Sequence, residues 1–299
     1  MSILETSALT RTYGPRRGIE TVNLAVGEGT LFGFLGPNGA GKTTTIRVLV
    51  GLLRPTAGAA HIFGLDCWTN SESIKHEIGY LPGDVRMQPW LDGRTALRIW
   101  GTIRGRNLLP AGRELAERFN LDLSTRVRSM SRGMRQKLGL ILALVHKPRL
   151  LVLDEPTVTL DPLMQTVVQQ ILREMAAEGH TVFFSSHTLG EVEQLCDRVA
   201  MIRGGRIVAD ESLAQLRTRA GHQVTIRWRD AEAAAATPPA ALTVEKREAL
   251  TWSGVLDGPI EPFVAWLSGR GVEDLSIGRP DLETLFRHFY VGEGQERRA

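Results

Sequence analysis

The chain has 299 residues, 42% of them hydrophobic and 23% charged, enough apolar material for one large or two modest packed domains. Its 36 Lys and Arg against 33 Asp and Glu leave a formal charge of +3, too small and too dispersed to predict a nucleic acid partner. Apolar stretches such as 140–145 fall far short of the ~18 to 20 residues of a membrane-spanning helix, and the two cysteines, Cys67 and Cys196, sit in no metal-ligand or redox spacing and read as buried thiols.

Residues 1–220 alternate short apolar runs, glycine punctuation and helical stretches, the pattern of a mixed α/β domain. The first residues, Met1 to Glu5, carry neither a basic leader nor an apolar signal core, so secretion is not expected and the default location is the cytoplasm. An apolar strand at 31–35 runs into Gly36-Pro37-Asn38-Gly39-Ala40-Gly41-Lys42-Thr43, and a helix-compatible stretch begins at Thr44. The spacing G-x-x-x-x-G-K-[ST] between a strand and a helix predicts a cradle for the phosphates of a nucleoside triphosphate. Glycines let the backbone turn its N–H groups toward phosphate oxygens, with the positive end of the helix behind them. Lys42 is placed to reach the β- and γ-phosphates, and Thr43 to ligate Mg²⁺.

Between about 84 and 149 the pattern turns helical, with candidate helices at 95–106 and 111–119, and reads as an insertion into the α/β core. A buried strand at 150–153 then delivers Asp154 and Glu155. Alternation along a strand points the two carboxylates apart, so Asp154 is suited to hold Mg²⁺ through its water shell and Glu155 to polarise an attacking water as general base. Leu160-Asp161-Pro162 follows, a strand at 181–185 ends just before His187, and 198–203 with 206–209 reads as a hairpin across Gly204-Gly205. Groups at the carboxyl ends of such strands are where open α/β sheets bind ligands.

Beyond Gly221 the texture changes. Val224, Ile226 and Trp228 alternate with Thr225, Arg227 and Arg229, a half-exposed strand, and the Ala/Pro segment 231–241 reads as a tether or loop. Amphipathic helices are predicted at 260–267 and 282–290, the second with Leu282, Leu285, Phe286 and Phe289 on one face, and Trp100 and Trp266 read as core residues on helices. Residues 221–299 are thus expected to form a small α+β accessory domain, and no internal repeat suggests a fused pair of similar domains.

The order of phosphate loop, Asp154-Glu155, Leu160-Asp161 and strand-end His187 resembles the ATP-binding subunit of an ABC transporter over about residues 1–215. The resemblance implies a P-loop NTPase core of the ABC type with a helical subdomain at about 84–149, ATP and Mg²⁺ as cofactors, and ATPase activity. Met130-Ser131-Arg132-Gly133-Met134 stands in the place of the family's Leu-Ser-Gly-Gly-Gln signature, departing from it at three positions but keeping the serine and second glycine. Ser131, Gly133 and the following helix then form a second anion cradle, which the family uses for the ATP of a second subunit. Two copies accordingly face each other head to tail, each ATP lying between Lys42 of one and Ser131 of the other, with Asp161 communicating across the pair and His187 touching the γ-phosphate. Tyr13 occupies the place of the adenine-stacking aromatic, or packs on its strand.

One departure falls after the strand at 78–82, where the family usually carries glutamine and this chain has Gly83; Asp84 or Gln88 could take its place, and the adjacent, acidic Asp84 is expected to supply the missing oxygen to the Mg²⁺ shell. The resemblance also implies a separate integral membrane permease, docked on the helical insertion near 87–91, where Trp90 either anchors the interface or packs in the core. The tail from Pro280 to Tyr290 resembles the Leu-Glu-x-x-Phe ending of bacterial daunorubicin-type drug exporters. This places the chain at the cytoplasmic face of the membrane as an exporter subunit for a drug, antibiotic or lipid-like compound. The alternatives are an importer ATPase, or a soluble ATPase of this type acting on nucleic acid or ribosomes.

Overall fold

The computed structural model describes residues 2–14, 16–219 and 221–280. The chain divides into two compact units, Met1–Asp210 and Glu211–Ala299. The first opens with β1 (Ser2–Tyr13), β2 (Arg16–Gly27), β3 (Leu31–Leu35), α1 (Lys42–Leu49), β4 (Ala57–Ile62), β5 (Leu65–Asp66), α2 (Ser71–Glu77) and β6 (Ile78–Leu81). The helical insertion follows as α3 (Gly93–Arg104), α4 (Leu109–Arg118) and α5 (Arg132–Leu144). The chain then returns through β7 (Leu150–Asp154), α6 (Pro162–Ala177), β8 (Thr181–Ser186), α7 (Leu189–Leu195), β9 (Arg198–Arg203) and β10 (Arg206–Ser212).

Two sheets result. An antiparallel one runs β2-β1-β4-β5, and a largely parallel one runs β10-β9-β3-β8-β7-β6. Strands β3, β7 and β8 are buried throughout, which explains why β3 and β7 read as apolar runs instead of alternating ones. Phe32 and Phe34 of β3 meet Phe183 of β8 at ring distances of 5.6 and 5.4 Å, and the same core takes in Ile46, Val48 and Leu49 of α1 with Leu4, Leu9 and Ile62 of the antiparallel sheet. The parallel register sets Leu35 beside Ser186 and Ser185 beside Asp154, so the carboxyl ends of β3, β8 and β7 finish together. At the edge, β9 turns into β10 through Gly204 and Gly205, both with positive φ, as a two-residue hairpin requires.

Within the insertion, Asp92 caps α3 by accepting from the Thr95 amide (2.7 Å), and Gly105 closes that helix in the left-handed region. Trp100 differs from its expected place in the core: it is 37% exposed, because α3 turns it into an open groove. Both cysteines are buried, and burial, then Asp66, pushes the Cys67 thiol up to about 12.

The second unit contains α8 (Leu213–Arg219), β11 (His222–Trp228), α9 (Ala231–Ala234), β12 (Leu242–Glu248), β13 (Thr251–Leu256), α10 (Ile260–Leu267) and β14 (Val272–Pro280). Its antiparallel sheet runs β12-β13-β11-β14. Val224, Ile226 and Trp228 face a core with Trp252, Phe263 and Leu267, and Trp266 packs against it half-buried. The segment read as a tether contains the short α9, capped by Asp230 on the Ala233 amide (2.8 Å). The helix expected at 282–290 lies outside the described residues. Among those described, no helix is long and apolar enough to cross a membrane.

Candidate functional site

The site grows from the loop between β3 and α1. Gly36 is packed so closely that an added Cβ would lie 2.4 Å from the Ile202 carbonyl oxygen, and Gly39 and Gly41 hold φ of +80° and +114°. Both requirements exclude other residues without strain. Helix α1 starts at Lys42 with no side-chain cap and no acid in its first turn, leaving its N-terminal amides to an anion. Thr43 is exposed at this end of the helix and Thr44 half-buried.

Lys42 is only 4% exposed, and its ammonium is held on three sides. It donates to the carbonyls of Gly36 (2.6 Å) and Pro37 (3.2 Å), and its Nζ lies 3.1 Å from Glu155 Oε1. The other oxygen of that carboxylate, Oε2, is 3.4 Å from His187 Nδ1. Glu155 therefore sits between a lysine at the start of α1 and a histidine just past the end of β8. Its backbone is left-handed, with φ of +48°, an unfavourable conformation for a side-chain-bearing residue that turns the chain sharply out of β7.

Asp154, 1% exposed, is oriented by Ser185, whose hydroxyl donates to Oδ1 at 2.7 Å and accepts from the Glu155 amide at 3.1 Å. Its other oxygen, Oδ2, is buried without a hydrogen-bond partner. Gly83 flanks that oxygen: a Cβ there would be 3.2 Å away. An unsatisfied carboxylate oxygen of this kind is costly to bury and fits a hydrated cation, the donor chemistry that Mg²⁺ prefers. Asp84, by contrast, is 69% exposed and paired with Arg86 Nε at 2.6 Å.

Two further residues fix the loop that follows Glu155. Gln136 of α5 donates to the Pro156 carbonyl (3.0 Å), and Glu191 of α7 accepts from the Thr157 hydroxyl (2.6 Å) and the Ser186 hydroxyl (2.5 Å). Sequence reasoning passes over these and Ser185; the parallel pairing of β7 with β8 is what places Ser185 at Asp154.

Tyr13 is 42% exposed on the β1–β2 hairpin, with the Arg11 guanidinium 5.1 Å from its ring centre. Gly18 lies across from it, and the Gly18 carbonyl and Ile19 side chain also bound Gly41, so this hairpin adjoins the phosphate loop. Ser131 and Asp161 are both exposed helix caps: Ser131 accepts from the Met134 amide at the start of α5 (3.2 Å), and Asp161 from the Met164 amide at the start of α6 (3.0 Å). Gly133 packs toward the Thr159 carbonyl. The structure thus brings Lys42, Asp154, Glu155 and His187 together, while Ser131, Gly133 and Asp161 make no hydrogen bond to them.

A groove of about 960 Å³ opens between β6 and the insertion, with Tyr80, Leu81, Leu91, Trp100, Ile103 and His146 among its walls. Burial, then the nearby Arg104, pushes the His146 imidazole down to about 4, and its Nε2 lies 3.1 Å from the Ile78 carbonyl. Burial, then Asp154, pushes the Tyr80 phenol up to about 12. Trp90, beside the groove, is 62% exposed and does not pack in the core.

Residues 19–158 match the family model described as ABC transporter. The chain is 34% identical to a daunorubicin resistance ATP-binding protein of Streptomyces coeruleorubidus, over 97% of this chain and 95% of that protein. It is 39% identical to the bacitracin transport ATP-binding protein of Bacillus licheniformis, over 73% of this chain and 72% of that one. Among solved structures, an ATP-binding subunit of an ABC transporter superposes with a TM-score of 0.68 at 30% identity, covering 73% of this chain and 93% of that one. A dimeric ATP-binding cassette in a post-hydrolysis state with ADP and phosphate shares the fold, with a TM-score of 0.65 at 21% identity over 70% of this chain and 98% of that one.

Proposed function

Since this chain belongs to the ABC transporter family as an ATP-binding ATPase subunit, we propose that it drives a separate membrane permease that exports a drug, antibiotic or lipid-like compound. The observation that carries the catalytic part is the position of Glu155 between Lys42 and His187 at the joined ends of three parallel strands. In this reading the γ-phosphate of ATP takes the Lys42 ammonium, which frees the Glu155 carboxylate to polarise the attacking water while His187 contacts the γ-phosphate. The residues 36–44 wrap the phosphates, and Tyr13 stacks on the adenine. Thr43 and Asp154 hold Mg²⁺, with Asp84 as the adjacent acid that completes its shell. The ion, when bound, neutralises charge on the phosphates. If Asp84→Ala kept native Mg²⁺ dependence, that part of the assignment would fail.

Ser131 and Asp161 are exposed, Gly133 is half-buried, and none of the three bonds to Lys42, which supports their serving the ATP of a second copy placed head to tail. The groove beside β6 is the docking place for the permease, and exposed Trp90 and Trp100 are its aromatic contacts. The chain then works peripherally at the cytoplasmic face of the membrane. Export is supported by the resistance and transport named for the relatives. The test is co-expression with a candidate permease, followed by ATP-driven efflux of candidate drugs from loaded cells. Efflux abolished by Glu155→Gln supports the reading; ATP-driven uptake of the same compounds would reverse the direction assigned.

A further inference from the structure

The helical insertion is far more basic than the rest of the molecule. Residues 84–149 contain fourteen Lys and Arg against five Asp and Glu, whereas the remaining residues contain 22 against 28. Several of these cations are engaged: Arg86, Arg118, Lys147 and Arg149 pair with carboxylates, and Arg104 donates to backbone carbonyls. Arg94, Arg98, Arg126 and Arg128 are not. They are exposed, and none has a carboxylate within ion-pair distance among the described residues.

These four are drawn together by backbone. The Val127 amide donates to Leu91 (2.8 Å), the Arg128 amide to Pro89 (3.1 Å), and Asp92 bridges to Arg126, so Trp90 runs alongside Arg126 and Arg128. The Arg94 amide donates to Leu123 (3.2 Å), and Arg98 lies one turn further along α3. The neighbouring acids are turned onto their own backbone. Asp92 caps Thr95, and Asp122 accepts from the Ser124 hydroxyl and amide; these hydrogen bonds, with smaller contributions from Arg94 and Arg98 at Asp92 and from Arg94 at Asp122, hold both carboxyls below the usual range, without any of them forming an ion pair. Four exposed arginines and the exposed Trp90 thus lie along two chain segments that backbone hydrogen bonds hold together, a basic ribbon on the insertion.

We propose that this ribbon rests directly on the anionic surface of a lipid bilayer. An extended row of arginines matches a field of headgroup phosphates, and an indole with one apolar and one polar edge suits the depth at which headgroups meet acyl chains. The contact is made by this chain itself and goes beyond the docking reading above; because both readings use Trp90, it is carried by the four arginines and tested with no permease present.

The test is flotation of the full-length protein, with no permease present, on vesicles of equal phosphatidylglycerol and phosphatidylcholine and on vesicles of phosphatidylcholine alone. Binding to the anionic vesicles at 50 mM NaCl, lost at 500 mM and absent from neutral ones, is the expected result. At about fivefold per basic residue near such a surface, Arg94→Ala/Arg126→Ala/Arg128→Ala should weaken binding by at least tenfold, while the matching triple Lys variant binds within about threefold of native. Retained binding of a fluorescent ATP analogue shows that the variants are folded. Equal binding to neutral vesicles, or an undiminished triple Ala variant, would overturn the proposal. So would capture by a polyglutamate peptide without capture by vesicles, which would assign the ribbon to an acidic protein segment.

Discussion

Lys42 meets a carboxylate where the proposed mechanism requires a phosphate, so Glu155 fills in part the place of the substrate's negative charge. Converting that carboxylate to an amide removes the competitor and the base together. Glu155→Gln should bind ATP at least as tightly as native protein while hydrolysis falls by about 10² to 10⁴, and Lys42→Ala should lose nucleotide binding; nucleotide titration beside phosphate-release kinetics separates the two. His146 gives a second prediction. Its folded pKa of about 4 lies below the ordinary value near 6.5, so the unfolded chain takes up a proton first as pH falls. Its penalty is absent above pH 7, grows between 6.5 and 4, and reaches about 3 kcal/mol. Urea unfolding from pH 7 to 4.5 should show stability declining with pH, and His146→Gln should flatten that slope.

At the scale of elements, what was legible in sequence was whatever depends on neighbours along the chain. The glycines and lysine of the β3–α1 loop, the Asp154-Glu155 strand end and the Gly204-Gly205 hairpin are of this kind. Ser185 and Gln136 were not, because each reaches its partner only when β8 or α5 packs against β7 and its following loop. Strands β12 and β13 were also missed. Beyond Val244, β12 is exposed and charged, and Gly254 reads as a breaker although it is required inside the sheet, where a Cβ would fall 2.1 Å from the Thr243 carbonyl. Ser185→Ala would leave Asp154 Oδ1 and the Glu155 amide without their shared partner. It should lower stability by about 1 to 3 kcal/mol, measured by urea unfolding, and reduce hydrolysis as Asp154 loses its orientation. Ser131→Ala removes the cap of α5, worth about 1 kcal/mol. If Ser131 also serves a second copy, hydrolysis at saturating ATP will fall while nucleotide binding by the monomer is spared; equal loss of both would argue for a cap alone.

For the whole molecule, these arrangements imply a division of labour. On the proposed reading the strand ends of the first unit hold the phosphate chemistry, the insertion carries the groove and the basic ribbon, and the signature residues stand apart from the site they would complete in a second copy. The chain's modest net charge conceals this, because the basic insertion is offset by acidic residues elsewhere. The measurement that tests the account most directly is the solution mass of Glu155→Gln protein with and without Mg-ATP. A shift from monomer to dimer on adding Mg-ATP, lost when Ser131→Ala is combined with it, is the predicted result. A mass that stays monomeric at saturating ATP, or a dimer indifferent to ATP and to Ser131, would contradict the head-to-tail sandwich.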